Sequence, residues 1–225
     1  MNFLENLMPN VMEIPEEFVQ ATIETLYMTL ITCIVAFLLG LLVGIALVLT
    51  QPGGLKANKV VYSILDKLVN IFRSIPFVIM MALLVGVTRA LVGTSIGTTA
   101  AIVPLVVATI PFYARQIQNA LVEVNPGVIE AAQAMGTPTG DIVTRVYLKE
   151  ALPGIVRVSA LSIINVIGLT AMAGTIGGGG LGNLAITRGY NRFQGDVTLV
   201  STIIILVIVF ISQALADRYV KRIEH

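Results

Sequence analysis

The sequence predicts an all-α integral membrane protein with five transmembrane helices, its N-terminus outside and its C-terminus cytoplasmic. Three observations carry this: an apolar bias, a series of helix-length runs almost free of charge, and a lopsided distribution of Lys and Arg. Of 225 residues, 56% are hydrophobic and 12% charged, with mean hydropathy +0.90. Soluble domains run at roughly 45–50% apolar and about 25% charged. The net charge of +1 argues against a nucleic-acid partner. Cys33, the only cysteine, lies in an apolar run, so neither a disulfide nor a thiol metal site is expected. The acidic N-terminus lacks the positive region of a cleavable signal.

Residues 1–20 carry Glu5, Glu13, Glu16 and Glu17 and no Lys or Arg, which predicts an extracytoplasmic acidic lead-in. A membrane domain over 21–218 follows, with spans at about 22–49, 70–91, 98–115, 154–177 and 196–217, and a tail at 219–225. Tyr27 to Leu49 is uncharged and long enough for the roughly 20 residues that cross a bilayer. Ala36, Gly40 and Gly44 recur every fourth residue, a stripe along which a second helix can approach closely.

Residues 57–74 mix Lys59, Asp66, Lys67 and Arg73 with Val60, Val61, Ile64, Leu65 and Leu68. That is helical spacing with one apolar face, suited to the membrane interface. Phe77 to Val87 is too short to span alone, so the second span borrows turns from before Pro76 and leaves Arg73 to snorkel. The third span holds Pro104 and Pro111, tolerated where neighbouring helices satisfy the freed backbone groups.

The long polar connection 116–152 contains Glu130-Ala-Ala-Gln-Ala-Met-Gly136. Asn125 suits a helix cap, Pro126 the first turn, and Gly136 a left-handed stop, after which Thr137-Pro138 launches a second helix. A helix of about ten residues and about 15 Å results, and Ala131, Ala132 and Ala134 keep its profile thin. Lys56, Lys59, Lys67, Arg73, Arg115, Arg145, Lys149, Arg157, Arg218, Lys221 and Arg222 fall on one side of the spans, against Arg89, Arg188 and Arg192 on the other. Eleven against three places this connection in the cytoplasm.

The chemistry expected of other membrane proteins is missing. His225 is the only histidine, and Asp66, Asp141, Asp196 and Asp217 lie at or beyond span ends, which disfavours an intramembrane hydrolase or an ion-coupled carrier. Gly177-Gly-Gly-Gly-Leu-Gly182 matches G-x-G-x-x-G without a preceding strand. It reads either as a flexible outer loop or as a closely packed external gate where backbones from two subunits approach, with Gly177, Gly178, Gly179, Gly180 and Gly182 supplying the close approach. No G-x-x-x-x-G-K-[ST] occurs, so the chain is not expected to bind or hydrolyse a nucleotide. Any energy source would have to be borrowed from a partner.

Glu130-Ala-Ala-x-x-x-Gly136 followed by Val146-x-Leu148 resembles the coupling loop of ABC-type importer permeases. Lys149 stands where that pattern carries proline, and Pro153 supplies one four residues on. Glu24-Thr-Leu-x-Met-Thr29, Asn70-Ile-Phe-Arg-Ser-Ile-Pro-Phe77, Val92-Gly-Thr-Ser-Ile-Gly97, Ala101-Ile-Val-Pro-Leu105, Pro111-Phe-x-Ala-Arg115 and Gly178-Gly-Gly-Leu-Gly182 extend the likeness to the methionine-importer permeases of that superfamily. The resemblance implies the ABC type I importer permease fold in a prokaryotic inner or plasma membrane. It also implies a homodimer, two copies of an ABC ATPase subunit that carry the ATP and Mg, and an extracytoplasmic substrate-binding protein. The ATPase-coupling residues would be Glu130, Ala131, Ala132, Ala134, Met135 and Gly136. Along the translocation pathway, Asn165 reads as a substrate ligand or interhelical glue, Met172 on the same face as an apolar gate or core filling, and Ser74 as a bend or interface anchor. An importer for another amino acid or a short peptide, and a non-transporting scaffold or channel-like protein, are the alternative readings.

Overall fold

A computed structural model of the chain describes residues 8–223, and among these every regular element is helical. Glu5, with the rest of residues 1–7, and Glu224 and His225 lie outside the described residues. The principal helices are α1 (Pro15–Thr50), α2 (Lys59–Ser74), α3 (Phe77–Leu83), α4 (Val85–Val92), α5 (Thr98–Val122), α6 (Pro126–Ala134), α7 (Leu152–Gly174) and α8 (Gly195–Ile223). Short helical pieces occupy Pro9–Glu13, residues 139–150 and residues 180–190.

Among the described residues four helices, α1, α5, α7 and α8, are long and apolar enough to cross a membrane. α1 begins at Pro15 rather than near residue 22, with Glu16 and Glu17 in its first turn. Proline fits the first helical position and the two carboxylates complement the helix dipole there, so part of the acidic lead-in is the first turn of a membrane helix.

The expected single span over 70–91 is not one helix. α2 stops at Ser74, α3 starts at Phe77, and Leu84 separates α3 from α4. Pro76 has φ −56° and ψ 136°, an extended residue with no N–H to continue the ladder, and it disfavours helical geometry at Ile75. Leu84, at φ −90° and ψ 1°, tightens the backbone a second time.

Contacts divide the chain into two compact units. The first comprises residues 8–34, 75–108 and 163–212. Its core gathers Met28, Phe77, Leu105 and Ala173, and separately Phe18, Ala21, Leu181, Leu184 and Val197. The second comprises residues 35–74, 109–162 and 213–223, with Tyr113, Ile117, Leu121, Ala132, Ile142 and Tyr147 at its centre.

In the second unit the small-residue stripe does what its spacing predicts. Ala36 is fully buried, a Cβ on Gly40 would sit 3.0 Å from the Tyr113 ring, and one on Gly44 would sit 2.6 Å from Ile117. The backbones of α1 and α5 are therefore close, and Phe37 stacks on Tyr113 with centroids 4.1 Å apart. In lipid such contact rests on dispersion and shape rather than on escape from water. α2 has the expected amphipathic pattern, with Val69 buried and Val60, Ile64, Leu68 and Ile71 exposed along one side.

Candidate functional site: the α6 turn and the glycine-rich loop

The α6 helix is fixed at both ends by its own sequence. The Asn125 side chain accepts a hydrogen bond from the Gly127 N–H at 2.9 Å, and Pro126 takes the first helical position. At the far end Gly136 adopts φ +74°. Its N–H donates to Gln133 O at 2.9 Å and the Thr137 N–H to Ala132 O at 3.1 Å. This pair of bonds is a Schellman stop, which needs a left-handed residue at the glycine position.

The faces of α6 divide cleanly. Ala132 is buried with Leu121, Val124, Ile142 and Tyr147, anchoring the helix to the second unit. Ala131, Ala134 and Met135 are exposed, Met135 at 78%. Glu130 and Gln133 line a cleft of about 270 Å³ with Gln51, Leu55, Leu121 and Tyr147. That is below the roughly 300–1,000 Å³ of small-molecule sites. Burial raises the Tyr147 phenol above its ordinary range, so it lines the cleft as a neutral hydroxyl. Beyond α6, Ile142–Tyr147 winds as a π-helical turn, a wide turn that buries both of its end residues and recurs in proteins at functional positions.

A polar network that sequence reasoning missed lies in the same unit. Arg115 donates from Nη2 to Asp66 Oδ1 at 2.5 Å and to Asn70 Oδ1 at 3.1 Å, and from Nη1 to Gln118 Oε1 at 2.6 Å. Asn70 Nδ2 donates to Asp66 Oδ2 at 3.2 Å. Gln118 Nε2 donates to Gln51 Oε1 at 3.2 Å, and Gln51 also lines the α6 cleft. The network thus ties α2 and α5 to the edge of that cleft. Its only signal in the sequence is a set of polar residues at helical spacing, Asp66 with Asn70 and Arg115 with Gln118.

In the first unit the glycine-rich loop is closely packed against α1 and α7. Gly177, Gly179 and Gly180 have φ between +76° and +88°. A Cβ on Gly182 would lie 2.2 Å from Ala171 O. Glu24 Oε2 accepts from the Gly180 N–H at 2.7 Å, and Thr25 Oγ1 from the Leu181 N–H at 2.9 Å. Gly178 is buried as well. The close approach here is between segments of one chain.

The pathway candidates fall as follows. Asn165 and Met172 are both exposed on one side of α7, with Leu161 and Gly168, as their spacing predicts; neither fills the core. Ser74 belongs to the other unit, where its Oγ donates to Asn70 O at 2.8 Å at the exposed end of α2.

Residues 36–225 match the family described as binding-protein-dependent transport system inner membrane component. The probable D-methionine transport system permease protein MetI of Pasteurella multocida is 46% identical over 205 residues, 91% of this chain and 94% of that protein. The methionine import system permease protein MetP of Bacillus subtilis is 49% identical over 213 residues, 95% of each. Among solved structures, an inward-facing MetNI methionine ABC transporter superimposes with TM-score 0.90 at 42% identity, over 92% of this chain and 96% of that one. An amino acid ABC transporter, 19% identical with TM-score 0.78 over 96% and 98% of the two chains, shares the fold.

Proposed function

We propose the function of this chain from its family: it belongs to the binding-protein-dependent transport system inner membrane components. It is the multi-pass permease subunit of an ATP-driven methionine importer. The relatives' names support the substrate, and the inward-facing methionine transporter, at TM-score 0.90, supports the ABC type I permease fold. The chain works as a homodimer with two ATPase subunits, which hold the ATP and Mg, and takes substrate from an extracytoplasmic binding protein.

The Lys and Arg excess supports a cytoplasmic α6 and C-terminus with the N-terminus outside. Within the membrane domain over 21–218, the end of α2 with α3 and α4 forms the crossing that brings the spans to five.

The observation that carries this reading is α6 itself. It is capped at Asn125, stopped at Gly136, anchored through Ala132, and leaves Ala131, Ala134 and Met135 free to enter a groove on another protein. ATP draws the two ATPase subunits together, their grooves carry the two α6 helices inward, and the spans rock to exchange one gate for the other. Glu130 and Gln133 orient the docked surface. Asn165 and Met172, open on one side of α7, face the pathway between the two copies. The glycine-rich loop, clasped by Glu24 and Thr25, serves as the outer gate.

Co-purification tests the docking. The tagged wild-type chain should retain its ATPase subunit on an affinity column, and Ala131→Glu with Ala134→Glu should lose it while still inserting in the membrane. Full retention by that variant removes α6 as the docking element.

A further inference from the structure

The loop between the π-helical turn Ala185–Tyr190 and α8 ends in an aromatic tip that the transport cycle above does not use. Phe193 is 95% exposed and Tyr190 73%, and Arg192 beside them is exposed too. Phe193 has φ +59°, alone among the described non-glycine residues in the left-handed region. For a bulky side chain that backbone is strained, and such strain persists only where the surroundings impose it.

The surroundings are identifiable. Before the tip, Arg188 pairs with Glu17. After it, the Asp196 carboxylate accepts from the Asn10 N–H at 3.0 Å, from Asn10 Nδ2 at 3.0 Å and from the Val11 N–H at 3.3 Å. Both ends of the tip are pinned, so its rings are held outward rather than left to fold against the chain.

The next element indicates what they meet. α8 starts at Gly195, carries no charge between Asp196 and Asp217, and is long and apolar enough to cross a membrane. A helix of that kind crosses the hydrocarbon layer, so residues immediately before it lie at headgroup depth. At that depth the ring faces find an apolar boundary and a guanidinium finds phosphate.

We propose that Tyr190, Arg192 and Phe193 form a wedge that anchors the start of α8 in the headgroup layer of the bilayer, with Arg192 favouring anionic phospholipid. The inference does not depend on which substrate is carried.

The chain contains no tryptophan, so Phe193→Trp adds a reporter that subtraction of the wild-type spectrum isolates, even in complex with the ATPase subunit. The assembled complex is placed in phosphatidylcholine–phosphatidylglycerol nanodiscs with plain or acyl-brominated lipid. Brominated lipid should remove most of the difference emission, and aqueous iodide little of it. Raising the phosphatidylglycerol fraction should strengthen lipid quenching, and Arg192→Gln should abolish that dependence. Quenching by iodide and not by brominated lipid overturns the proposal, as does shielding from iodide that appears only when a substrate-binding protein is added. If the Phe193→Trp complex does not assemble, Tyr190→Trp is read against the same outcomes.

Discussion

Arg115 and Asp66 meet at 2.5 Å, and through this pair α5 holds α2 in place within the unit that also carries α6. Both side chains are partly shielded, at 17% and 29% exposure, so the pair sits between a solvated surface bridge and a buried one. Removing either partner leaves a charge with its hydrogen bonds unmade, expected to cost about 1–2 kcal/mol. Arg115→Gln and Asp66→Asn should each lower the thermal midpoint of the purified complex, and the double variant should lose less than the two shifts added together. Strict additivity of the two shifts would mean that the pair is not coupled.

The glycines make a contrast that needs no transport assay. Gly182→Ala puts a methyl group 2.2 Å from a backbone carbonyl of α7, and overpacking of this kind is expected to cost about 1–3 kcal/mol. Gly86 lies inside α4 with nothing within 4 Å of the place a methyl group would occupy, so Gly86→Ala should be neutral or stabilise by up to about 1 kcal/mol. Thermal unfolding of the two variants in the same detergent ranks them. Equal midpoints would contradict the packing described for the glycine-rich loop.

At Gly136 space is not the constraint, because nothing lies within 4 Å of the position a Cβ would take. The φ of +74° is the constraint. Gly136→Asn should retain most of the ATPase-driven transport, since asparagine visits this conformation readily, whereas Gly136→Leu should lose it. Equal transport by the two variants would show that the left-handed stop is dispensable.

Asn125→Ala removes the acceptor for the Gly127 N–H and should cost about 0.5–2 kcal/mol of local helix stability. Hydrogen exchange at residues 127–129 is the direct probe. Asn125→Asp should restore protection, and exchange unchanged from wild type in Asn125→Ala would discount the cap.

The start and stop of α6 are legible in the sequence because capping is local: Asn125, Pro126 and Gly136 act on residues within one turn. The α1–α5 stripe is partly legible, since Ala36, Gly40 and Gly44 reveal a close approach without naming Tyr113 and Ile117 as what approaches. Pro76 is visible as a proline, yet the expected continuous span fails there because the restriction on Ile75 stops the helix outright. Glu16 and Glu17 read as lead-in by charge, although carboxylates favour a helix N-terminus. The Glu24 clasp joins positions 156 residues apart, and Arg115 meets Asp66 across 49. Such pairings follow from tertiary packing, and no local pattern announces them.

The proposed coupling, in which α6 transmits another subunit's ATP hydrolysis to methionine passage through this chain, is followed by uptake in sealed vesicles. The permease, its ATPase and its binding protein are reconstituted, and labelled methionine is followed with and without ATP. Wild type should accumulate methionine only with ATP, and Gly136→Leu should hydrolyse ATP and insert normally while accumulating none. Uptake by Gly136→Leu at the wild-type rate, or wild-type uptake indifferent to ATP, would contradict it.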